Sequence, residues 1–342
     1  LKNASAFFGE REQSSPYDND MTALLELRSF TVELPTAAGW VKPVNDVSLQ
    51  IAAGETLGFV GESGSGKTML SLALMGLLPA GARVTGAARL ASHNGGAKSL
   101  AALREEEWRA VRGREVAMIF QEPMTSLNPV MRVGAQIEEA ILAHEPKLSN
   151  DELHRRVLTA MQHAAMPEPE TRAQQYPHQL SGGLRQRAMI AMALASSPKL
   201  LIADEPTTAL DVTVQKQILD LLDRLRRELD VALLFITHDL AVVANVADRV
   251  AVMYAGRIVE EGPVQKVLAA PLHPYTQGLL NASPTLEARK LTPIPGTVPQ
   301  LTEMPPGCAF APRCPYRRTE CDQRVPEFRH TVATHGARCV LV

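Results

Sequence analysis

An excess of charge of either sign is missing from this 342-residue sequence, in which 35 lysines and arginines stand against 37 aspartates and glutamates. Such a balance offers no broad basic field, and no nucleic-acid partner is expected. Long apolar runs are missing as well. Nothing approaches the ~18 residues of a spanning helix, and the polar opening, Leu1 to Asp20, has no apolar signal core. The expectation is a soluble chain that is not exported. Cysteine is nearly absent, and the few that occur all fall between Cys308 and Cys339, too sparse and too clustered for a secreted disulfide scaffold. They read as one site. What remains is globular composition, 45% hydrophobic and 21% charged, which excludes disordered and collagen-like chains. The length suits about two domains of ~150 residues.

Residues 1–21 show no periodicity and, with Met21 just before the first strand-like run, read as a disordered or tag-like N-terminus. Apolar and polar residues alternate over Leu24–Leu34 and Val44–Ile51, the pattern of half-buried antiparallel strands. Thr56–Val60 is instead a short apolar run before a helical stretch over Thr68–Leu78. Buried strands are predicted at Val116–Phe120, Leu200–Ala203, Leu233–Thr237 and Val250–Tyr254. Strands alternating with helices predict an α/β fold, a parallel sheet covered by helices and joined to an antiparallel β subdomain. Met131–Ala195 is helix-like and predicts a helical subdomain at about 125–195 inside a domain at 22–262. Past Pro271 the composition shifts, with 11 of the 24 prolines in the last 72 residues. A loop-rich extension over 263–342 that does not continue the sheet is therefore expected.

Gly61-Glu62-Ser63-Gly64-Ser65-Gly66-Lys67-Thr68 matches the G-x-x-x-x-G-K-[ST] phosphate loop. Its glycines let backbone N–H groups turn toward an anion, and the following helix aims its positive end at the same place. Lys67 reaches the terminal phosphates, and Thr68 offers a hydroxyl to Mg²⁺. A nucleotide loop also needs a metal-holding carboxylate on a neighbouring strand. Leu200–Ala203 runs into Asp204 and Glu205, so Asp204 is the candidate Mg²⁺ holder and Glu205 the candidate base for an attacking water.

Leu180-Ser181-Gly182-Gly183-Leu184-Arg185-Gln186-Arg187 opens a helical stretch as a second anion pole, and it resembles the signature motif of ABC transporter ATPases. Other elements similar to that family follow in order. Gln121 in IFQEP matches the Q-loop and a further Mg²⁺ contact, Ala209-Leu210-Asp211 the D-loop, and His238 in ITHD the switch histidine. The resemblance implies two cassettes sandwiching ATP head to tail, so that Ser181, Gly182 and Gly183 contact nucleotide held by a partner's loop. Leu184 departs from the usual glutamine, which predicts a less active site where this signature completes it. An aromatic stacked on adenine is implied too, and Trp40 is the candidate, with a plain surface turn as the alternative.

The runs QEPMTSLNP at 121–129, YPHQLSGG at 176–183, DEPTTALD at 204–211, VMYAG at 252–256 and HPY at 273–275 are similar to the D-type ATPase subunit of oligopeptide and dipeptide importers. That branch implies a paralogous ATPase as heterodimer partner, two membrane permease subunits, an extracytoplasmic binding protein and a peripheral place on the cytoplasmic face of the membrane. A groove beside Gln121 would receive a permease's coupling helix. The alternatives are import of nickel or another small solute, a non-transport ABC ATPase, and a metal-regulated binding module.

Cys308, Cys314, Cys321 and Cys339 enclose five, six and seventeen residues. These spacings are wider than the C-x₂₋₄-C pairs of zinc sites and suit a cubane with separated corners. Importer ATPases resembling this chain carry a [4Fe-4S] cluster at the matching cysteines, which is implied here, while Zn²⁺ and free or paired thiols stay open. Arg313, Arg317, Arg318, Arg324 and Arg338 read as counter-charges to such a cluster or, for most, as solvated surface residues.

Overall fold

The computed structural model describes residues 23–92, 96–122, 126–208, 210–283, 292–332 and 334–342. The N-terminal segment, residues 123–125 of the Q-loop run and Ala209 of the D-loop lie outside the described residues. The hairpin β1 (Ala23–Thr36) and β2 (Gly39–Ala52) is extended past β1 by β4 (Arg83–Ala91) and then β5 (Ala97–Ser99), all antiparallel. The second sheet has a parallel centre of β9 (Arg249–Tyr254), β3 (Thr56–Val60), β8 (Ala232–Thr237), β7 (Leu200–Asp204) and β6 (Val116–Ile119), in that order. Beyond β9, β10 (Arg257–Pro263), β12 (His335–Ala337) and β11 (Arg329–Val332) continue it antiparallel.

The apolar runs of the central strands are uninterrupted because both faces are covered. Leu201, Ala203, Leu233 and Phe235 enter the core shared with the helices. Their chain neighbours Leu200, Ile202, Leu234 and Ile236 enter the core shared with the antiparallel sheet. The pleat thus assigns alternate residues to the two layers. Helices α1 (Lys67–Leu74) and α2 (Glu105–Val111) precede β6, and α3 (Val133–Leu142), α4 (Asn150–His163), α5 (Pro169–Ala173) and α6 (Gly182–Leu194) form the expected helical stretch between β6 and β7. α7 (Val212–Leu229), α8 (Leu240–Val246), α9 (Val264–Ala269), α10 (Pro274–Ala282) and α11 (Thr319–Gln323) follow. α1 stops short of the predicted Leu78, because Gly76 turns at φ +63° with Trp108 packed against its Cα.

The expectation that the tail stays out of the sheet is overturned. Proline is absent after Pro326, so Arg329–Ala337 keeps the N–H groups that pairing needs. β12 aligns Ala337 with Glu260 and Gly336 with Glu261. Fully buried Glu260 secures the junction, accepting from the N–H groups of Leu272 and His273 at 2.8 Å each and pairing with His335 Nε2 at 2.8 Å. Three partners satisfy a carboxylate that would be costly to bury alone.

Candidate functional site

The phosphate loop joins β3 to α1, and its glycines at 61 and 66 are required by the backbone pressed against them. A Cβ at Gly61 would lie 2.2 Å from Met253 O, and one at Gly66, where φ is +108°, would lie 1.9 Å from Pro43 O. Lys67 is 5% exposed. Its Nζ donates to Gly61 O at 2.7 Å, Glu62 O at 3.0 Å and Ser65 Oγ at 3.3 Å, which holds the ammonium over the loop. Burial pulls the Lys67 pKa below its ordinary value, opposed by the carboxylates of Glu205, Asp204 and Glu62. An ammonium held among three carboxylates stays available to an anion that enters.

Asp204 closes β7, opposite Ile236 of β8. Burial pushes its carboxyl above the usual range and Glu205 adds to this, while a hydrogen bond from Thr68 and the charge of Lys67 oppose the rise. Asp204 Oδ1 is buried with no hydrogen-bond partner. An orphaned carboxylate oxygen beside a threonine hydroxyl fits a hard cation that takes one or two protein oxygens and the rest from phosphate and water.

One residue on, Glu205 adopts φ +47° and its N–H donates to Ile236 O at 2.9 Å. This left-handed turn, which costs a non-glycine residue about 1 kcal/mol, takes the side chain out of the strand's alternation. Its Oε2 accepts from Gln121 Nε2 at 3.3 Å and Thr208 Oγ1 at 2.9 Å, and His238 Nδ1 stands 3.4 Å away. The structure therefore brings Gln121, Glu205 and His238 together, although they are far apart in sequence. Thr208 was not singled out by sequence reasoning; its place three residues after Glu205 in a turn-like stretch was the available signal. A carboxylate gathered by donors at the mouth of a phosphate loop can take a proton from water and hold that water in line.

Ser181 and Asp211 are engaged as helix caps. Ser181 Oγ accepts from Leu184 N at 3.4 Å at the start of α6, and Asp211 Oδ1 accepts from Thr213 N at 3.1 Å and Val214 N at 3.0 Å at the start of α7. Gly183 lets the two helices meet, since a Cβ there would lie 2.8 Å from Val214 Cγ1.

Residues 44–208 match the family described as ABC transporter, and residues 259–321 match the oligopeptide/dipeptide transporter C-terminal region. The chain is 50% identical over 313 residues to the oligopeptide transport ATP-binding protein OppD of Bacillus subtilis (strain 168), covering 90% of this chain and 86% of that one. The chain belongs to the ABC transporter ATP-binding proteins of the oligopeptide/dipeptide family. It is likewise 48% identical to the dipeptide transport ATP-binding protein DppD of the same strain, over 94% of this chain and 95% of that one. A solved dimeric post-hydrolysis state of the ATP-binding cassette MJ0796, bound to ADP and Pi, matches with a TM-score of 0.61 and 27% identity over 70% of this chain and 98% of that one.

Around this ABC ATPase core the remaining candidates fall in two places. Trp40 lies by the β1–β2 turn, 44% exposed, with the Arg83 guanidinium 3.9 Å from its ring centroid. The cysteines sit in the extension. Cys308, Cys314, Cys321 and Cys339 all line one cavity with His273 and Phe310. The Arg318 N–H donates to Cys321 Sγ at 3.4 Å. Burial raises the Cys314 and Cys339 thiols and pushes Cys308 up to about 11. Among the described residues no three His, Cys, Asp or Glu groups stand close enough to hold a single metal ion. Arg313 is the exception among arginines read mostly as solvated: it is 7% exposed and pairs with Glu62 of the phosphate loop, whose N–H in turn donates to Tyr275 Oη at 2.8 Å.

Proposed function

We propose that this ABC ATPase hydrolyses ATP to drive uptake of oligopeptides or dipeptides through a pair of membrane permease subunits, as one half of a heterodimer with a paralogous ATPase. The observation that carries the catalytic reading is the meeting of Gln121, Thr208 and His238 on the Glu205 carboxylate. Glu205 takes the proton of the attacking water, and Gln121 and His238 orient that water and sense the γ-phosphate. Lys67 and the loop N–H groups other than that of Glu62, those of Ser63, Gly64 and Gly66 among them, neutralise and seat the phosphates. Asp204 and Thr68 would hold Mg²⁺, with Gln121 in reach of the same shell, and the ion would supply charge neutralisation on the phosphate oxygens. Ser181, Gly182 and Gly183 complete the partner's site, with Asp211 at the shared boundary. Trp40 is the adenine-stacking candidate, its ring already able to hold a flat cation.

The matching C-terminal region supports the peptide-import branch. Residues 22–262, with a helical subdomain at about 125–195, form the ATPase portion, and 263–342 form the extension. The chain works at the cytoplasmic face of the membrane, and an extracytoplasmic binding protein delivers the peptide. Four sulfurs lining one cavity, with the Arg318 N–H on Cys321 Sγ, support a [4Fe-4S] cluster in the extension, because a hydrogen bond to sulfur stabilises the anionic thiolate such a cluster needs. A single Zn²⁺, the other reading of the four cysteines, has no three such groups gathered for it among the described residues. Anaerobically purified chain should be brown, absorb near ~400 nm and carry about four irons; stoichiometric zinc without iron would reject the cluster. The import reading is tested by assembling the chain with its paralogue and permeases. ATP turnover should rise when peptide-loaded binding protein is added, and turnover indifferent to it would count against the reading.

A further inference from the structure

The extension reaches the phosphate loop through one side chain. Arg313 closes the short helical turn Ala311–Arg313. Its guanidinium meets Glu62 fork to fork, Nη1 to Oε2 at 2.7 Å and Nη2 to Oε1 at 3.0 Å. The guanidinium is itself fixed, donating from Nε to Pro295 O at 2.9 Å and from Nη1 to Tyr254 Oη at 3.3 Å. Glu62 is fixed in turn, with its N–H on Tyr275 Oη at 2.8 Å and its C=O accepting from Lys67 Nζ at 3.0 Å. Two of these three grips come from the extension and the third from the lysine that faces the phosphates.

We propose that Arg313 is a positioning residue for nucleotide binding, a strut through which the C-terminal extension holds the phosphate loop in its ATP-accepting shape. Two physical effects carry this. Bidentate arginine–carboxylate pairs are strong and directional, and a loop with glycines at 61, 64 and 66 otherwise loses much conformational freedom on closing around a ligand. The pair also neutralises a carboxylate close enough to influence Lys67. Left unpaired, Glu62 would place a negative charge beside the triphosphate. Because coupling is reciprocal, a strut that favours ATP is itself steadied by ATP.

This inference rests on the ATP-site reading, and the experiment separates the two. Mg-ATP affinity is measured with a fluorescent nucleotide on the full chain for wild type, K67A, R313Q, E62Q and the R313Q/E62Q double variant. R313Q is expected to weaken binding about 10-fold, raising KM in the assembled complex while kcat stays within about twofold. The double variant should bind better than R313Q alone, because the uncompensated carboxylate is gone. Hydrogen exchange over residues 305–314 should slow on adding Mg-ATP in wild type and not in R313Q. Wild-type affinity in R313Q, additive effects in the double variant, or an ATP response of that segment preserved in R313Q would each overturn the strut. Loss of binding in K67A is expected throughout; unimpaired binding there would remove the ATP-site reading and the strut with it.

Discussion

Glu205 owes its position to a single backbone angle, the φ of +47° that takes it out of β7 and toward Gln121, Thr208 and His238. Replacing it by Gln keeps the shape and removes the base, so ATP should still bind while turnover in this chain's own site falls by ~10² to 10⁴. Single-turnover assays with the partner site disabled check this; normal turnover would remove Glu205 from the chemistry. Gly66→Ala acts differently. Its Cβ would sit 1.9 Å from Pro43 O at a φ of +108°, so the loop must shift and nucleotide binding should be lost; binding at wild-type affinity, measured by titration calorimetry, would show that the loop is not the phosphate seat. At this scale the sequence was readable wherever chemistry lies in contiguous residues: Gly61 to Thr68 needs only its own spacing, and Asp204 and Glu205 only a strand end. Arg313 was not readable, because its partner Glu62 lies 251 residues away and nothing in a run of surface-type arginines marks the one that is buried.

Among the elements, α10 carries a pH response. His273 caps it with Nδ1 accepting from Tyr275 N at 3.0 Å, and burial pushes its pKa down to about 3. In the unfolded chain the imidazole regains a pKa of ~6.5. The unfolded state therefore binds the extra proton between these values, so the stability due to neutral His273 is complete above pH ~6.5 and is lost as pH falls toward 3, at up to ~1.4 kcal/mol per pH unit. Urea midpoints between pH 7.5 and 5 should drop more steeply for wild type than for His273→Asn, which retains a capping side chain. Parallel curves would show that His273 does not carry the effect. Central strands and the helical stretch of α3–α6 were legible from their apolar runs and period. The tail strands β11 and β12 were not: they are four and three residues long, follow a proline-rich stretch, and gain their pairing from β10 and the buried Glu260.

For the whole molecule, the signature helix α6 begins with Ser181 as its cap and a glycine pressed on α7, so that Ser181 and Gly182 are exposed at a preformed N-terminus. The isolated chain should accordingly turn over ATP poorly, because its own loop lacks a facing signature to complete the charge clamp on the γ-phosphate. A sedimenting monomer with high turnover at low concentration would contradict that. If Leu184 weakens the site that this signature completes in the proposed heterodimer, disabling Lys67 here should cost transport more than disabling the paralogue's equivalent lysine, and equal losses would make the substitution neutral. Whether ATP hydrolysis at Glu205 drives peptide uptake is decided by transport itself. Proteoliposomes holding the complete complex, with either wild-type chain or Glu205→Gln, are loaded with Mg-ATP and given peptide on its binding protein. Peptide should accumulate in an ATP-dependent way with wild type and about 10²-fold or more slowly with Glu205→Gln; accumulation at the wild-type rate in the variant would show that uptake does not depend on hydrolysis at Glu205.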